Sequence, residues 1–175
     1  MKKIVVMASG EGSNFSTIIE SGIVVDKVIT DNVKANVIKR AEKVGIPVAI
    51  IDNKKEYNHG LGWLERRIHE EIPEDTDLIV LAGFMKILSP WFVEQYEGKI
   101  INIHPSLLPA FAGTCNAIKE AYEHGCQVFG ITIHWVTPKI DAGPIIAQRA
   151  IHAFETDTLD TITAQVRQAE HYLYP

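Results

Sequence analysis

Two cysteines in 175 residues, Cys115 and Cys126, stand without a CxxC spacing and without a secretory context. A disulfide framework or a zinc site needs more than that, so both thiols are expected to be free and no metal is expected. Basic clusters are missing too: nowhere do four or more Lys or Arg stand together, and the formal charge is −5. Nucleic-acid backbone binding is thereby disfavoured, and small molecules become the expected partners. No apolar run approaches the roughly 18 uninterrupted residues of a membrane span. The opening MKKIVVMASGEG is broken by small polar residues and glycine too early for a secretory h-region. The expectation is a soluble, cytoplasmic protein with neither nucleic acid nor membrane as partner; monomer and homodimer both fit.

What is present is an alternation of short apolar runs with helical patterns. Residues 3–8 read as a buried strand, 9–13 as a glycine turn, and 14–21 as a helix with Phe15, Ile18 and Ile19 facing inward. A strand over 24–30 and a helix over 33–44 follow, closed by Gly45-Ile46-Pro47 before a strand over 48–51. Further strands are expected over 78–82, 99–103, 130–136 and 144–150, and further helices over 63–71, 117–124 and 159–173. In the last helix Leu159, Ile162, Val166, Ala169 and Leu173 follow the spacing of one face. Strands apolar on both sides, alternating with helices, predict a single-domain α/β fold over residues 1–175. Its core is a mostly parallel twisted sheet flanked by helices, Rossmann-like in plan.

The segment INIHPSLLP, residues 101–109, carries the chemistry. Alternation puts Asn102 and His104 on one face of a strand, and Pro105 ends it, leaving both side chains near the carboxyl end where open α/β sheets build their crevices. Taken alone, the pair reads equally as a strand end tied down by hydrogen bonds. Asp141 lies in the loop between two later apolar strands, where an ordinary turn aspartate is the simpler reading. A carboxylate beside an imidazole nevertheless favours the protonated ring, and an imidazolium beside an amide forms a donor pair for a developing oxyanion. That is equipment for acyl transfer without a nucleophile: there is no GxSxG elbow and no Cys-His pattern, so direct transfer to an acceptor amine fits best.

The opening turn Ser9-Gly10-Glu11-Gly12-Ser13-Asn14 joins a strand to a helix, and its free amides can cradle a phosphate. It lacks the third glycine of GxGxxG, which counts against a dinucleotide. Asp31 lies at the offset of a ribose-binding acid, which keeps a nicotinamide oxidoreductase open as a rival.

The segments SGEGSN (9–14), LAGFMKILSP (81–90), INIHPSLLP, GITIHWV (130–136), DAGPII (141–146) and QAEHYLYP (168–175) together resemble the folate-dependent formyltransferases that act on glycinamide ribonucleotide. HPSLLP and DxGPI are shared with the wider formyltransferase group, including the methionyl-tRNA enzymes and the formyltetrahydrofolate deformylases; SGxGSN at the start narrows the choice. The resemblance implies transfer of a formyl group from 10-formyltetrahydrofolate, as co-substrate, to the amine of glycinamide ribonucleotide in purine biosynthesis. It implies Asn102, His104 and Asp141 as the catalytic set, and Gly12, Ser13 and Asn14 as the phosphate grip, with Glu170 on the same substrate. Pattern alone would instead pair Glu170 with Arg167 at i−3. Met85, Lys86, Ile87 and Leu88, with Asn102, would line the folate pocket; otherwise that stretch is a core-facing turn.

Three departures stand out. Phe111-Ala112-Gly113-Thr114-Cys115 carries alanine and cysteine where the family has a Pro-Gly pair and a histidine. An arginine associated with folate has no clear counterpart over residues 58–63. The family also continues past Tyr174-Pro175, which marks a truncated or short ending. The alternatives are another formyl-transfer or deformylase reaction on the same fold, a nicotinamide oxidoreductase, and a non-catalytic nucleotide-binding module.

Overall fold

In the computed structural model, residues 2–55, 60 and 62–175 are described. Seven strands form one sheet: β1 (Ile4–Met7), β2 (Lys27–Thr30), β3 (Val48–Ile50), β4 (Leu78–Leu81), β5 (Ile100–His104), β6 (Val128–Trp135) and β7 (Ile145–His152). Their order is β3-β2-β1-β4-β5-β6-β7. The first five pair in parallel, and β6 and β7 then add antiparallel to β5 and to each other. Among the described residues six α-helices accompany them: α1 (Ser13–Glu20), α2 (Val37–Lys43), α3 (Trp63–Glu71), α4 (Pro90–Gln95), α5 (Ala117–Glu123) and α6 (Leu159–Leu173).

Period-two alternation builds two cores, one on each face of the sheet. Val6, Val28 and Val80 point to the face covered by Phe15 and Ile18 of α1 and by Ile162, Val166 and Ala169 of α6. Val5, Met7, Ile29, Ile79 and Leu81 point to the other, under Leu64 and Ile68 of α3 and Phe92 of α4. Each such fully buried side chain contributes about 1.5–3 kcal/mol relative to exposure, which is why the parallel strands read as apolar throughout. The outermost strand β7 is largely exposed on both faces.

The expected elements are present, with shifted ends. β2 starts at Lys27 because the Asp26 carboxylate accepts from the Ile4 amide while the Asp26 amide donates to the Ile4 carbonyl, fixing residues 24–26 as a corner. α2 starts at Val37, because the Asn32 side chain accepts from the Lys34 amide and holds residues 32–35 in a turn. The pattern reading missed α4, although Ser89-Pro90 is a helix start: the Ser89 hydroxyl accepts from the Phe92 amide and proline takes the first turn.

One register row positions everything that follows. Ile29, Met7, Leu81, Asn102 and His134 are successive partners across β2, β1, β4, β5 and β6. Beyond that row lie the carboxyl ends of the parallel strands and the turns they feed. Ser9, after β1, donates its amide to Gly83 O and accepts the Met85 amide on its hydroxyl, locking the turns after β1 and β4 together.

Candidate active site

Asn102 and His104 do share a face of β5, but their surroundings come from β6 and from the loop after it. Antiparallel pairing sets Asn102 opposite His134 and His104 opposite Thr132. The loop over 137–144 then folds back over this junction. Its base is tight: a Cβ at Gly143 would lie 1.8 Å from the Trp135 carbonyl oxygen, so the residue must be glycine. Trp135 also donates its amide to Pro144 O. Asp141 at the turn of this loop has a φ of 48°, a left-handed conformation that aspartate tolerates better than most residues.

The carboxylate of Asp141 sits between two imidazoles. Its Oδ2 is 3.4 Å from His104 Nδ1 and its Oδ1 is 3.6 Å from His134 Nε2. The other ring nitrogen of His104, Nε2, lies 2.9 Å from Phe111 O. A carbonyl only accepts, so the Nε2 of His104 carries the proton in that hydrogen bond, while Nδ1 faces the Asp141 carboxylate. Asp141 Oδ2 also accepts the Gly113 amide at 2.8 Å. Phe111, with φ 55°, is the other non-glycine residue in the left-handed region among the described residues. Phe111 and Gly113, within the stretch 111–115 expected to depart from the family pattern, thus bond to His104 and Asp141.

His134 is the residue that pattern reading missed. It is 2% exposed, and burial, the dominant influence, pushes its pKa down despite the nearby Asp141 charge. Its Nδ1 donates to the Trp135 carbonyl at 3.0 Å, which leaves Nε2 of the neutral ring to accept from Asn102 Nδ2 at 3.3 Å. One amide proton of Asn102 is therefore held by His134. In GITIHWV alternation does place Thr132 and His134 on one face, but only the pairing of β6 with β5 turns that face toward Asn102.

The turn expected to grip phosphate follows β1, at the carboxyl end of that strand. Gly12 has φ 69° and caps α1, whose first residues are Ser13 and Asn14. Asn14 Nδ2 donates to Glu170 Oε2 at 3.2 Å, so Glu170 of α6 reaches α1. Burial raises the Glu170 pKa, with the Asn14 hydrogen bond and the Arg167 charge opposing. A groove of about 630 Å³ lies against α3 and the turn after β4, lined among others by Phe84, Lys86, Ile87, Leu88, Pro138 and Ile140. Met85 and Ile87 are 72% and 73% exposed, which excludes the core-facing alternative for those two side chains. Half of the stretch expected to lack the arginine, residues 58–63, lies outside the described residues: 58, 59 and 61 are not among them.

Asp31 does not serve as a ribose acid. It is 2% exposed and its Oδ2 accepts from Asn53 Nδ2 at 3.0 Å, so it is turned into the protein. Among the described residues no group of three or more His, Cys, Asp or Glu is placed to hold a metal ion. No helix among them is long and apolar enough to cross a membrane.

Comparison with known proteins gives the family and the fold. Residues 2–175 match the Formyl transferase family. The phosphoribosylglycinamide formyltransferase of Bacillus subtilis (strain 168) is 42% identical over 182 residues, covering 100% of this chain and 92% of that protein. The trifunctional purine biosynthetic protein adenosine-3 of Gallus gallus is 41% identical over 184 residues, covering 99% of this chain and 18% of that protein. The crystal structure of phosphoribosylglycinamide formyltransferase from Bacillus halodurans superposes with a TM-score of 0.92 at 40% identity, covering 99% of this chain and 92% of that one.

Proposed function

The chain belongs to the Formyl transferase family, and from that membership we propose that it transfers the formyl group of 10-formyltetrahydrofolate to the amine of glycinamide ribonucleotide, a step of purine biosynthesis. In this reading residues 1–175 act as one formyltransferase domain on small molecules in the cytoplasm. The observation that carries it is the meeting of His104, Asp141 and Asn102 at the β5–β6 junction, with Asp141 Oδ2 at 3.4 Å from His104 Nδ1.

The attacking amine forms a C–N bond to the formyl carbon, and the carbonyl electrons move onto oxygen. His104, charged beside Asp141, donates from Nε2 to that oxyanion in place of the Phe111 carbonyl; Asn102 donates the amide proton that His134 does not hold. As the tetrahedral intermediate collapses, the bond from carbon to N10 of the folate breaks and N10 takes a proton from His104. The amine's proton leaves through water near Asp141, so the protons balance. Donors fixed in advance in this way are worth roughly 2.7–4 kcal/mol each in related acyl-transfer chemistry.

Substrate placement follows the crevice. Gly12, Ser13 and Asn14 grip the phosphate at the start of α1, and Glu170, which accepts from Asn14, contacts the same substrate. Lys86, Ile87 and Leu88, with Met85 and Asn102 beside them, hold the folate. Support for that comes from the groove wall, because Pro138 and Ile140 belong to the loop that carries Asp141. Folate bound there would present its formyl group to the catalytic residues.

The test is ultraviolet-monitored conversion of 10-formyltetrahydrofolate to tetrahydrofolate with and without glycinamide ribonucleotide. Product formation that requires the ribonucleotide is expected. Release of formate at the same rate without any acceptor would replace this reading with a deformylase.

A further inference from the structure

We infer that Arg40 of α2, which lies outside the proposed catalytic and substrate contacts, is a positioning residue that aims the backbone amides of the turn over residues 10–13 at an anion; this rests on the proposed phosphate grip at that turn. Three successive carbonyls of the turn are pulled back. Gly10 O accepts the Val37 amide at 3.1 Å, Glu11 O accepts Arg40 Nε at 2.7 Å, and Gly12 O accepts the Ser16 amide at 3.0 Å. In a trans peptide the carbonyl of one residue and the N–H of the next point in opposite directions. The amides of Glu11, Gly12 and Ser13 are therefore turned the other way, and among the described residues none of them has an acceptor. Such a run of unpaired amides at a helix start is an anion-binding concavity.

Arg40 is the charged member of this arrangement and the one that spans it. Its Nη1 donates to Ser16 Oγ at 3.0 Å while Nε holds Glu11 O, so one planar guanidinium ties the turn to the first coils of α1. The turn also carries an acid that would repel a phosphate. Asn36, at the start of α2, holds both carboxylate oxygens of Glu11, at 2.9 and 3.1 Å. Val37 completes the support: a Cβ at Gly12 would lie 2.7 Å from Val37 Cβ and Cγ2. From Asn36 to Arg40, α2 thus backs the turn at residues 10, 11 and 12.

The experiment compares wild type, Arg40→Met, Arg40→Lys and Gly12→Ala. For each, KM is measured for glycinamide ribonucleotide and for its dephosphorylated ribonucleoside, and orthophosphate is titrated as a competitive inhibitor. Arg40→Met is expected to raise the ribonucleotide KM and the phosphate inhibition constant about tenfold, the scale of one charge-assisted hydrogen bond. The ribonucleoside KM, the folate KM and kcat should stay within about twofold. Arg40→Lys, which keeps the charge and one of the two bonds, should recover part of the loss. An unchanged ribonucleotide KM in Arg40→Met, with a raised one in Gly12→Ala, would overturn the role of Arg40 and leave the phosphate turn standing. Equal damage to ribonucleotide and ribonucleoside would also overturn it. If Gly12→Ala itself leaves ribonucleotide KM and phosphate inhibition untouched, the phosphate turn is the assignment that fails.

Discussion

The two ends of the crevice are built from different parts of the chain's chemistry. At the turn after β1 the polar groups that make up the site are backbone amides, held by carbonyls that α2 and α1 pull back. At the β5–β6 junction they are side chains, Asn102, His104, His134 and Asp141, brought together from two antiparallel strands and a returning loop. The first site depends on one glycine, one helix start and the packing of α2 behind the turn. The second depends on a register between strands that are remote in sequence. A backbone site tolerates changes in side-chain chemistry but not in backbone shape, whereas a side-chain site has the opposite sensitivity.

The largest expected effect separates the two ends. His104→Ala and Asn102→Ala should each lower kcat by about two to three orders of magnitude, the usual loss for an oxyanion donor, with a much smaller change in either KM. Steady-state kinetics with both substrates varied checks this. A mutant retaining more than about a tenth of wild-type kcat, a margin of roughly 1.4 kcal/mol, would remove that residue from the oxyanion site.

At the backbone end the signature should reverse. Gly12→Val adds a side chain where Val37 already stands and where φ is 69°, so the turn must shift. The expected result is a rise of about tenfold or more in ribonucleotide KM with the folate KM nearly unchanged. Equal damage to both constants would erase the division between the two ends.

The smallest expected effect concerns Glu170, whose burial raises its pKa above the ordinary 4.5. In the pH window between that ordinary value and the raised folded one, the folded state keeps a proton that the unfolded state has lost. Stability therefore falls as pH rises through the window. Glu170→Gln removes the buried charge and should unfold at a higher temperature than wild type at neutral pH, the gap closing as pH is lowered through the window. Its ribonucleotide KM should rise a few-fold, about the scale of one hydrogen bond. Thermal melts at several pH values decide the first point; an equal gap at every pH would detach it from the charge of Glu170.

The same contrast explains what was legible in the sequence. The parallel half was readable because its strands are buried on both faces and its turns carry glycine, so local pattern and position coincide. Asn102 and His104 were readable as a pair because a strand places alternate residues on one face. Asp141 came from a loop aspartate whose return over the junction depends on Gly143 packing against the Trp135 carbonyl, which no local pattern shows. His134 was missed for a related reason. Its motif was visible, but its role follows from sitting opposite Asn102, and antiparallel register between β5 and β6 cannot be counted from either strand alone. The short helix α4 was passed over despite its Ser-Pro start, because six residues are too few for a helical period to show.

The central claim is that Asp141 serves by keeping His104 charged, and the pH dependence of kcat in Asp141→Asn tests it most directly. Asparagine keeps the shape, tolerates the left-handed backbone and leaves an oxygen for the Gly113 amide, but withdraws the negative charge that favours the protonated ring. Activity should fall steeply at neutral pH and recover in part as pH is lowered to about 6, where a histidine takes up a proton more readily, while wild type shows no comparable gain. The two profiles should therefore diverge. Parallel profiles separated by a uniform drop would contradict the account and reduce Asp141 to a proton acceptor or an anchor for the loop over 110–115.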